Sequence, residues 1–475
     1  MKKYLGVLFI LIFAFNISIA QKLWSLQDCI DYALNNNIQI KQQELSTQMA
    51  KINLSQSKAN VLPNFNTSAS HAYNTGKTID MYTNQFATNT VQSDNFYLSS
   101  SVTLFNGFQL LNTIKQNKIN LQASQFDLDK MMNDISLNIS IAYLQILYNI
   151  ELLNVAASQL EITKQQVLRT KKLVDAGSVA KGSLLTLEAQ QASEELNVVN
   201  AQNSLDLSHL TLVQMLDIQS LDSFEIATPK LDINIEAPLI LKPEQIYAYA
   251  IGTQPEIKSA ELKVQSSMLD LSIARGLRSP NLSLRGTYGT GFSGASKSII
   301  GTPTFAGLDT IAYTFEPNPK SVVVPNFDYQ YETKPFMDQI NDNINKSISF
   351  SLTIPVFNAW QVNNTLSKAK IAIKSSEYTL QTTKNTLYKS IQQAYSDAIA
   401  ALNKYKSTQK SLVALNESFK YTEQKFDVGL VNTTEYNDAK SKLATAESNL
   451  LQAKYNYVFT MKIIDFYMGK PIEFK

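Results

Sequence analysis

The side chains that could carry covalent or metal chemistry are few and scattered. The 475-residue chain has two histidines, His71 and His209, and one cysteine, Cys29. A nucleophile needs its base within hydrogen-bond reach, and a metal needs several converging ligands. His71 falls in a strand-like alternation and His209 in a helical stretch, far apart in sequence, so both are expected to fill structural positions. Cys29 lies among apolar positions of helical spacing in SLQDCIDYALNNN and is expected as a buried thiol. A single cysteine excludes an internal disulfide framework. The run GASKS at Gly294 to Ser298 lacks the glycine spacing of a phosphate loop. No catalytic constellation emerges, so an enzyme is not expected, nor is a cofactor or a metal.

Bulk features narrow the class. Lys2 and Lys3 precede an apolar run from Leu5 to Phe15, and Ser18, Ile19 and Ala20 offer small residues before Gln21. This is the pattern of a secretory signal peptide over residues 1–20. No cysteine follows the expected cut, so a lipid-anchored N-terminus is not expected. Without the two signal lysines the chain has 40 basic and 40 acidic residues, a balance that argues against a nucleic-acid partner. No mature segment approaches the ~18 uninterrupted apolar residues of a membrane-spanning helix.

The chain resembles itself. At an offset of 217, Asp28 to Ser57 matches Gln245 to Ala274, and Pro63-Asn64 falls on Pro280-Asn281. At an offset of 252, Leu104 to Gly177 matches Val356 to Gly429, with Phe105-Asn106 on Phe357-Asn358 and Ala142-Tyr143 on Ala394-Tyr395. The expected divisions are a first repeat over 21–216, a linker over 217–242, a second repeat over 243–468 and a tail over 469–475. Two like halves suggest a symmetric or ring-forming object.

Each half holds an unusually long helical pattern. From Asn106 to Val174 there is no proline and one glycine, and apolar or small residues recur at steps of three and four. Asn149, Thr163 and Thr170 occupy steps of this stripe. Such a repeat over many turns is coiled-coil-like, and roughly 70 residues make a helix of about 100 Å. Asn106 and Asn358 stand where N-caps are expected, Gly177 and Gly429 where C-caps are. A second helix is expected to run back after each glycine, with apolar positions Leu184, Leu187, Ala192, Leu196, Val199 and Leu210 in the first half. Tyr436, Ala439, Leu443, Ala446, Leu450 and Tyr457 play that part in the second.

Before each long helix the period changes to two. Ser347 to Val356 places Ile348, Phe350, Leu352, Ile354 and Val356 on one face and serines and a threonine on the other. Phe96 to Leu104 does the same, with upstream partners Phe65 to Tyr73 and Leu282 to Phe292. Segments of about ten residues, apolar on one face and small-polar on the other, match transmembrane barrel strands. Four strands cannot close a barrel, and an open edge is not tolerated in lipid, so several chains must share one. Strand count alone allows a dimer, trimer or tetramer. The insertions Asn74 to Asn95 and the proline-containing Ser293 to Lys346 are expected as loops outside the barrel, capping or narrowing its mouth.

Duplicated halves of two strands and a helical hairpin resemble the TolC family of outer-membrane efflux channels over nearly the whole mature chain. LQDCIDYALNNNIQIK is similar to the family's opening, and IPVFNAW and TLFNGF to its strand-to-helix junction. Thr103 replaces a proline in the first junction and Ala359 a glycine in the second. FDVGLVNTTEYNDA resembles the helical-tip motif, where an acidic pair follows a glycine. The resemblance implies an α+β membrane protein, three chains forming a transmembrane β-barrel continued by a long α-helical barrel. It implies an exit duct of a tripartite efflux or type I secretion system in the outer membrane, with a long periplasmic extension. Its partners would be outer-membrane lipid, a periplasmic adaptor and an inner-membrane pump of RND or ABC type. It carries a periplasmic constriction onto Glu435, Asp438, Phe426 and Ser183, whose acids would form cation-favouring rings. The adaptor would meet the tips at Gly177, Ser178, Val179, Gly429, Leu430 and Val431. The rival reading is a non-channel periplasmic coiled-coil adaptor or envelope stalk, which needs long helices but not four amphipathic strands.

Overall fold

The computed structural model describes residues 23–87, 90–218, 224–229 and 241–470. The expected signal peptide, and most of the expected linker and tail, lie outside the described residues. The chain order begins β1 (Leu23–Trp24), α1 (Leu26–Asn36), α2 (Ile38–Ala59), β2 (Asn64–Asn74), β3 (Thr78–Ile79), β4 (Phe86–Ala87) and β5 (Val91–Phe105). Next come α3 (Gln109–Asp175), α4 (Lys181–Met215), β6 (Glu225–Ile226), α5 (Pro243–Thr253) and α6 (Pro255–Gly276). The rest is β7 (Asn281–Ser293), β8 (Lys297–Tyr313), β9 (Ser321–Thr333), α7 (Phe336–Asp342), β10 (Asn345–Thr353), α8 (Gln361–Asp427) and α9 (Thr433–Tyr467). Helix lengths recur: α1 and α5 have 11 residues each, α2 and α6 have 22, α3 and α8 have 67, α4 and α9 have 35.

Two compact units draw on separated stretches of chain. One comprises Met1–Ile52, Lys118–Ser267 and Ala372–Lys475, the other Asn53–Asn117 and Met268–Ile371.

The first unit is helical. Its main core sets Leu26, Cys29, Ile30 and Ala33 of α1 against Ile139, Tyr143, Ile146 and Leu147 of α3, Leu212 of α4 and Tyr455 of α9. Cys29 is a buried thiol, as its spacing predicts. Ser25 and Asp28 form a reciprocal capping box that starts α1. The Tyr143 hydroxyl donates to the carbonyls of Trp24 and Ala227, tying the small parallel β1–β6 pair to α3. A second core joins Ile246, Ala250 and Ile257 to Leu387, Ile391, Ala394 and Ile464. Helix α3 carries an 18-residue window apolar enough in composition to cross a membrane, which the sequence reading does not expect; 44% of it is buried within the chain.

The buried stripes differ from the expected ones. On α4 the buried positions are Leu187, Glu194, Ala201, Ser208, Leu212 and Val213, while Leu196, Val199 and Leu210 are exposed. On α9 Lys440 holds the stripe position between Tyr436 and Leu443, and Ala439 lies beside it, half-buried. Along α3 the polar members Asn149, Thr163 and Thr170 are buried, and Asn149 donates to the Ser204 carbonyl at 3.0 Å. Apolar spacing identifies two faces on α4; packing selects the one with fewer leucines.

The second unit is built on a four-stranded antiparallel sheet in the order β10-β7-β5-β2. The expected strands are all present and slightly longer, except that β10 ends at Thr353 before Ile354 and Val356. Register puts Ile348, Phe350 and Leu352 of β10 beside Gly286, Leu284 and Leu282 of β7, with Val102, Leu98 and Phe96 of β5 on the same face. The other face carries Ser347, Ser349 and Ser351, then Arg285 and Thr287, then Ser99 and Tyr97. Ile348, Phe350 and Leu352 are 79%, 69% and 60% exposed, so the β10 side of the apolar face is uncovered by the described residues, while Phe336 of α7 packs on Phe96 and Phe292 at the far end.

Two corrections concern the connections. The N-cap positions expected at Asn106 and Asn358 are followed by two left-handed residues, Gly107 and Phe108 (φ 66° and 62°) and Ala359 and Trp360 (φ 50° and 63°). The helices start at Gln109 and Gln361, because the chain must be re-aimed between strand and helix. A Cβ at Gly107 would lie 2.5 Å from the Gly276 carbonyl, so only glycine fits that close approach. The second insertion is not an irregular loop: β8 and β9 form a long ribbon, followed by α7. Its prolines do not prevent this, since Pro303 falls in the irregularity between Ile300 and Thr304 and Pro317 and Pro319 lie in the connection between the strands.

Candidate functional site

The helical hairpins end in two closely similar turns. In α3 the Gly177 N–H donates to Val174 and the Ser178 N–H to Leu173, at 2.9 and 2.8 Å. In α8 the Gly429 N–H donates to Phe426 and the Leu430 N–H to Lys425, at 3.0 and 2.8 Å. Both glycines are left-handed, with φ of 73° and 76°, which is the Schellman arrangement. Ser178 and Leu430 are exposed and Val179 and Val431 half-buried, so each tip presents an apolar residue that is at least partly accessible.

The four residues assigned to a constriction sit just inside these turns, each engaged within its own hairpin. Glu435 is exposed in the first turn of α9, where its N–H donates to the Asn432 side-chain oxygen at 2.9 Å. Asp438, also exposed, accepts from Lys442 one turn later at 2.7 Å. Ser183 lies at the equivalent turn of α4, its N–H donating to Ala180. Phe426 stacks on Tyr436 at 4.6 Å between ring centroids. Both acids are exposed, three residues apart on the first turns of one helix.

What the chain does gather is a buried polar network a few turns further in. The Lys440 side chain is 4% exposed and that of Glu194 is 9%. The Lys440 ammonium donates to both Glu194 oxygens (3.2 and 3.3 Å), to the Gln159 carbonyl (2.7 Å) and to the Thr163 hydroxyl. Helices α3, α4 and α9 thereby meet at one charge pair. Gln159 also donates to Glu447 at 3.0 Å, Gln166 to the Tyr436 hydroxyl at 3.4 Å, and Arg169 pairs with Asp427 at 2.5 Å. Burial lowers the Lys440 pKa, and Glu194 partly offsets that. Burial likewise pushes the Tyr436 hydroxyl up to about 12, with Glu423 adding to it. Sequence reasoning missed this pair, although the signal was present. Lys440 and Glu194 each occupy a stripe position, Glu194 seven residues after Leu187 and seven before Ala201.

The other candidate chemical residues are structural. His71 pairs with Asp94 across β2 and β5, and His209 lies edge-on to Phe224 with its pKa lowered by burial. Among the described residues no group of three or more His, Cys, Asp or Glu side chains could hold a metal ion.

A family model described as outer membrane efflux protein matches residues 29–217 and 246–469. The chain is 22% identical over 452 residues to outer membrane protein TolC of Escherichia coli (strain K12), covering 94% of this chain and 82% of that protein. It is 21% identical over 360 residues to outer membrane protein TolC of Salmonella enteritidis. The fold is similar to the crystal structure of CusC, with a TM-score of 0.75 at 16% identity, covering 94% of this chain and 92% of that one. It is also similar to the Campylobacter jejuni CmeC outer membrane channel, with a TM-score of 0.74 at 17% identity, covering 94% and 85%.

Proposed function

From the premise that this chain belongs to the outer membrane efflux protein family, we propose that three copies assemble into one continuous exit duct. The protein is an outer-membrane efflux channel with a periplasmic helical extension. In the proposed trimer, twelve strands close a barrel and the long helices of two duplicated halves form a tunnel. One observation carries this reading: a four-stranded sheet that exposes Ile348, Phe350 and Leu352 on its apolar face and whose edge strands β2 and β10 have no partner among the described residues. In lipid such edges must be paired, and copies of the same chain supply the pairs. The exposed apolar positions of α4, Leu185, Leu196, Val199 and Leu207, offer a matching seam for a neighbouring copy in the helical unit. A soluble adaptor or stalk would leave the exposed sheet face without a purpose.

The duct serves a tripartite efflux or type I secretion system, its tips at Gly177 to Val179 and Gly429 to Val431 docking a periplasmic adaptor joined to an RND or ABC pump. Glu435 and Asp438 of three copies form acidic rings at the periplasmic end, with Ser183 and Phe426 beside them. Single-channel conductance of the purified protein in planar bilayers tests this, comparing wild type with Glu435→Gln/Asp438→Asn at low salt. Cation-selective openings that lose selectivity in the variant are expected. Openings with unchanged selectivity would remove the acidic rings, and a folded monomer without conductance would overturn the shared duct.

A further inference from the structure

The outer end of the sheet, away from the strand-to-helix junctions, is not an open rim. Between β2 and β5 the chain folds back over the polar face, and Asp80 anchors it. Asp80 is buried; one carboxylate oxygen accepts from the N–H groups of Tyr82 (3.2 Å) and Thr83 (2.8 Å) and the Thr83 hydroxyl (2.9 Å). The other accepts from the Ser293 hydroxyl at 2.5 Å. Ser293 is fully buried and is held in turn by Gln339 of α7: its N–H donates to the Gln339 Oε1 at 2.9 Å, and Gln339 Nε2 donates back to its carbonyl at 3.0 Å. Three chain segments are thus joined through buried hydrogen bonds, an expensive arrangement for a simple connection.

The anchor delivers two tyrosines to the polar face. Tyr82 donates to the Asn95 side chain at 2.6 Å, and the Tyr97 hydroxyl to the Met81 sulfur at 3.8 Å. Opposite Asn95 and Tyr97 in the register stand Gly291 and Gly289. A Cβ at Gly291 would lie 1.8 Å from the Tyr82 hydroxyl oxygen, and one at Gly289 2.6 Å from the Tyr97 ring. β7 therefore omits side chains where the rings sit.

We propose that Tyr82 and Tyr97 form an aromatic collar on the lumen-facing side of the outer mouth, fixed by the Asp80–Ser293–Gln339 bonds, which limits the size of solutes that leave. This rests on the reading that the polar sheet face lines a barrel shared between copies. Each copy adds one pair of uncharged rings, so the collar selects by bulk, whereas the proposed acidic rings select by charge.

The test uses the full mature oligomer as oriented single channels, with neutral polyethylene glycols of graded mass added to one side only. Tyr82→Ala/Tyr97→Ala is expected to raise the largest polymer that enters from the outer side by about twofold in mass, with the periplasmic cut-off unchanged. Asp80→Ala, which frees the anchor, is expected to move the outer cut-off the same way, and Tyr82→Phe, which keeps the ring, to leave it in place. An outer cut-off identical to wild type in an intact double-variant oligomer would overturn the collar. Wild-type protein that never conducts would instead overturn the duct on which it rests.

Discussion

The two units of this chain invert one another's rules of burial. The sheet unit exposes Ile348, Phe350 and Leu352 while its serines face the other way, and the helical unit buries Lys440 and Glu194 while Leu196 and Val199 are left exposed by their own chain. Neither arrangement is stable for an isolated chain in water. In the sheet unit the proposed duct places the solution outside the chain, where lipid would cover the apolar strands and other copies would pair their edges. In the helical unit part of the solution is internal, since the buried lysine has four hydrogen-bond acceptors from two other helices. The lesson is that exposure in one unit and burial in the other are both specified, and each can be broken separately.

The largest effect is expected from breaking the buried pair one side at a time. Lys440→Met or Glu194→Ala alone leaves an unpaired buried charge and should cost about 3–5 kcal/mol, read from chemical denaturation of the solubilised protein. The Lys440→Met/Glu194→Leu double variant should recover most or all of that loss. If the single and double variants are equally destabilised, the pair is not the source of the cost.

In the sheet unit the corresponding disruption is Phe350→Arg, which should cost about 2–4 kcal/mol of membrane insertion if its face meets lipid at mid-depth. Ser349→Arg on the opposite face should be far milder. Outer-membrane fractionation compares the two, and equal recovery of both variants would erase the distinction between the faces.

A smaller effect separates the buried pair by pH. Burial lowers the Lys440 pKa, so the folded state disfavours the ammonium. That penalty is fully present below the lowered pKa and is relieved as pH rises toward the ordinary lysine value, because the unfolded chain then holds more protons. Wild type should therefore gain stability relative to the Lys440→Met/Glu194→Leu variant as pH rises through that window. Parallel pH profiles for the two proteins would exclude Lys440 as the titrating group.

The smallest effects belong to the exposed ion pairs near the tips. Arg169→Gln, which frees Asp427, should change stability by less than about 1 kcal/mol and vanish in high salt, as about half of each side chain is solvent-exposed. For ion selectivity, Glu435→Gln should outweigh Asp438→Asn, because Lys442 already offsets the Asp438 charge. The reverse order in reversal-potential measurements would place Asp438 at the narrower ring.

Much of the fold was legible because its elements announce themselves locally. Strand alternation at Ser347 to Thr353, the helix stops at Gly177 and Gly429, and two very long proline-free stretches each depend on neighbours within a few residues. The ribbon of β8 and β9 was not legible, since prolines and tyrosines read as a loop until pairing gives each proline a bulge, a connection or an edge. The buried stripe on α4 is hidden from the sequence for a similar reason. Leu196 and Val199 obey helical spacing as well as Glu194 and Ala201 do, and nothing in one helix says which face meets another.

By itself the sequence determined the periods: where the chain alternates by two, where by three and four, and where glycine ends a helix. Through the resemblance it also pointed to an outer-membrane duct. Only tertiary structure decided that two hairpins of strands join through β5 and β7 into one sheet, that Lys440 finds Glu194 across helices, and that Asp80, Ser293 and Gln339 lock a loop over two glycines. The physical reason is range. Backbone propensity and periodicity act within a few turns of one element, whereas pairing, burial and desolvation depend on groups more than two hundred residues away along the chain, as Asp80 and Ser293 are.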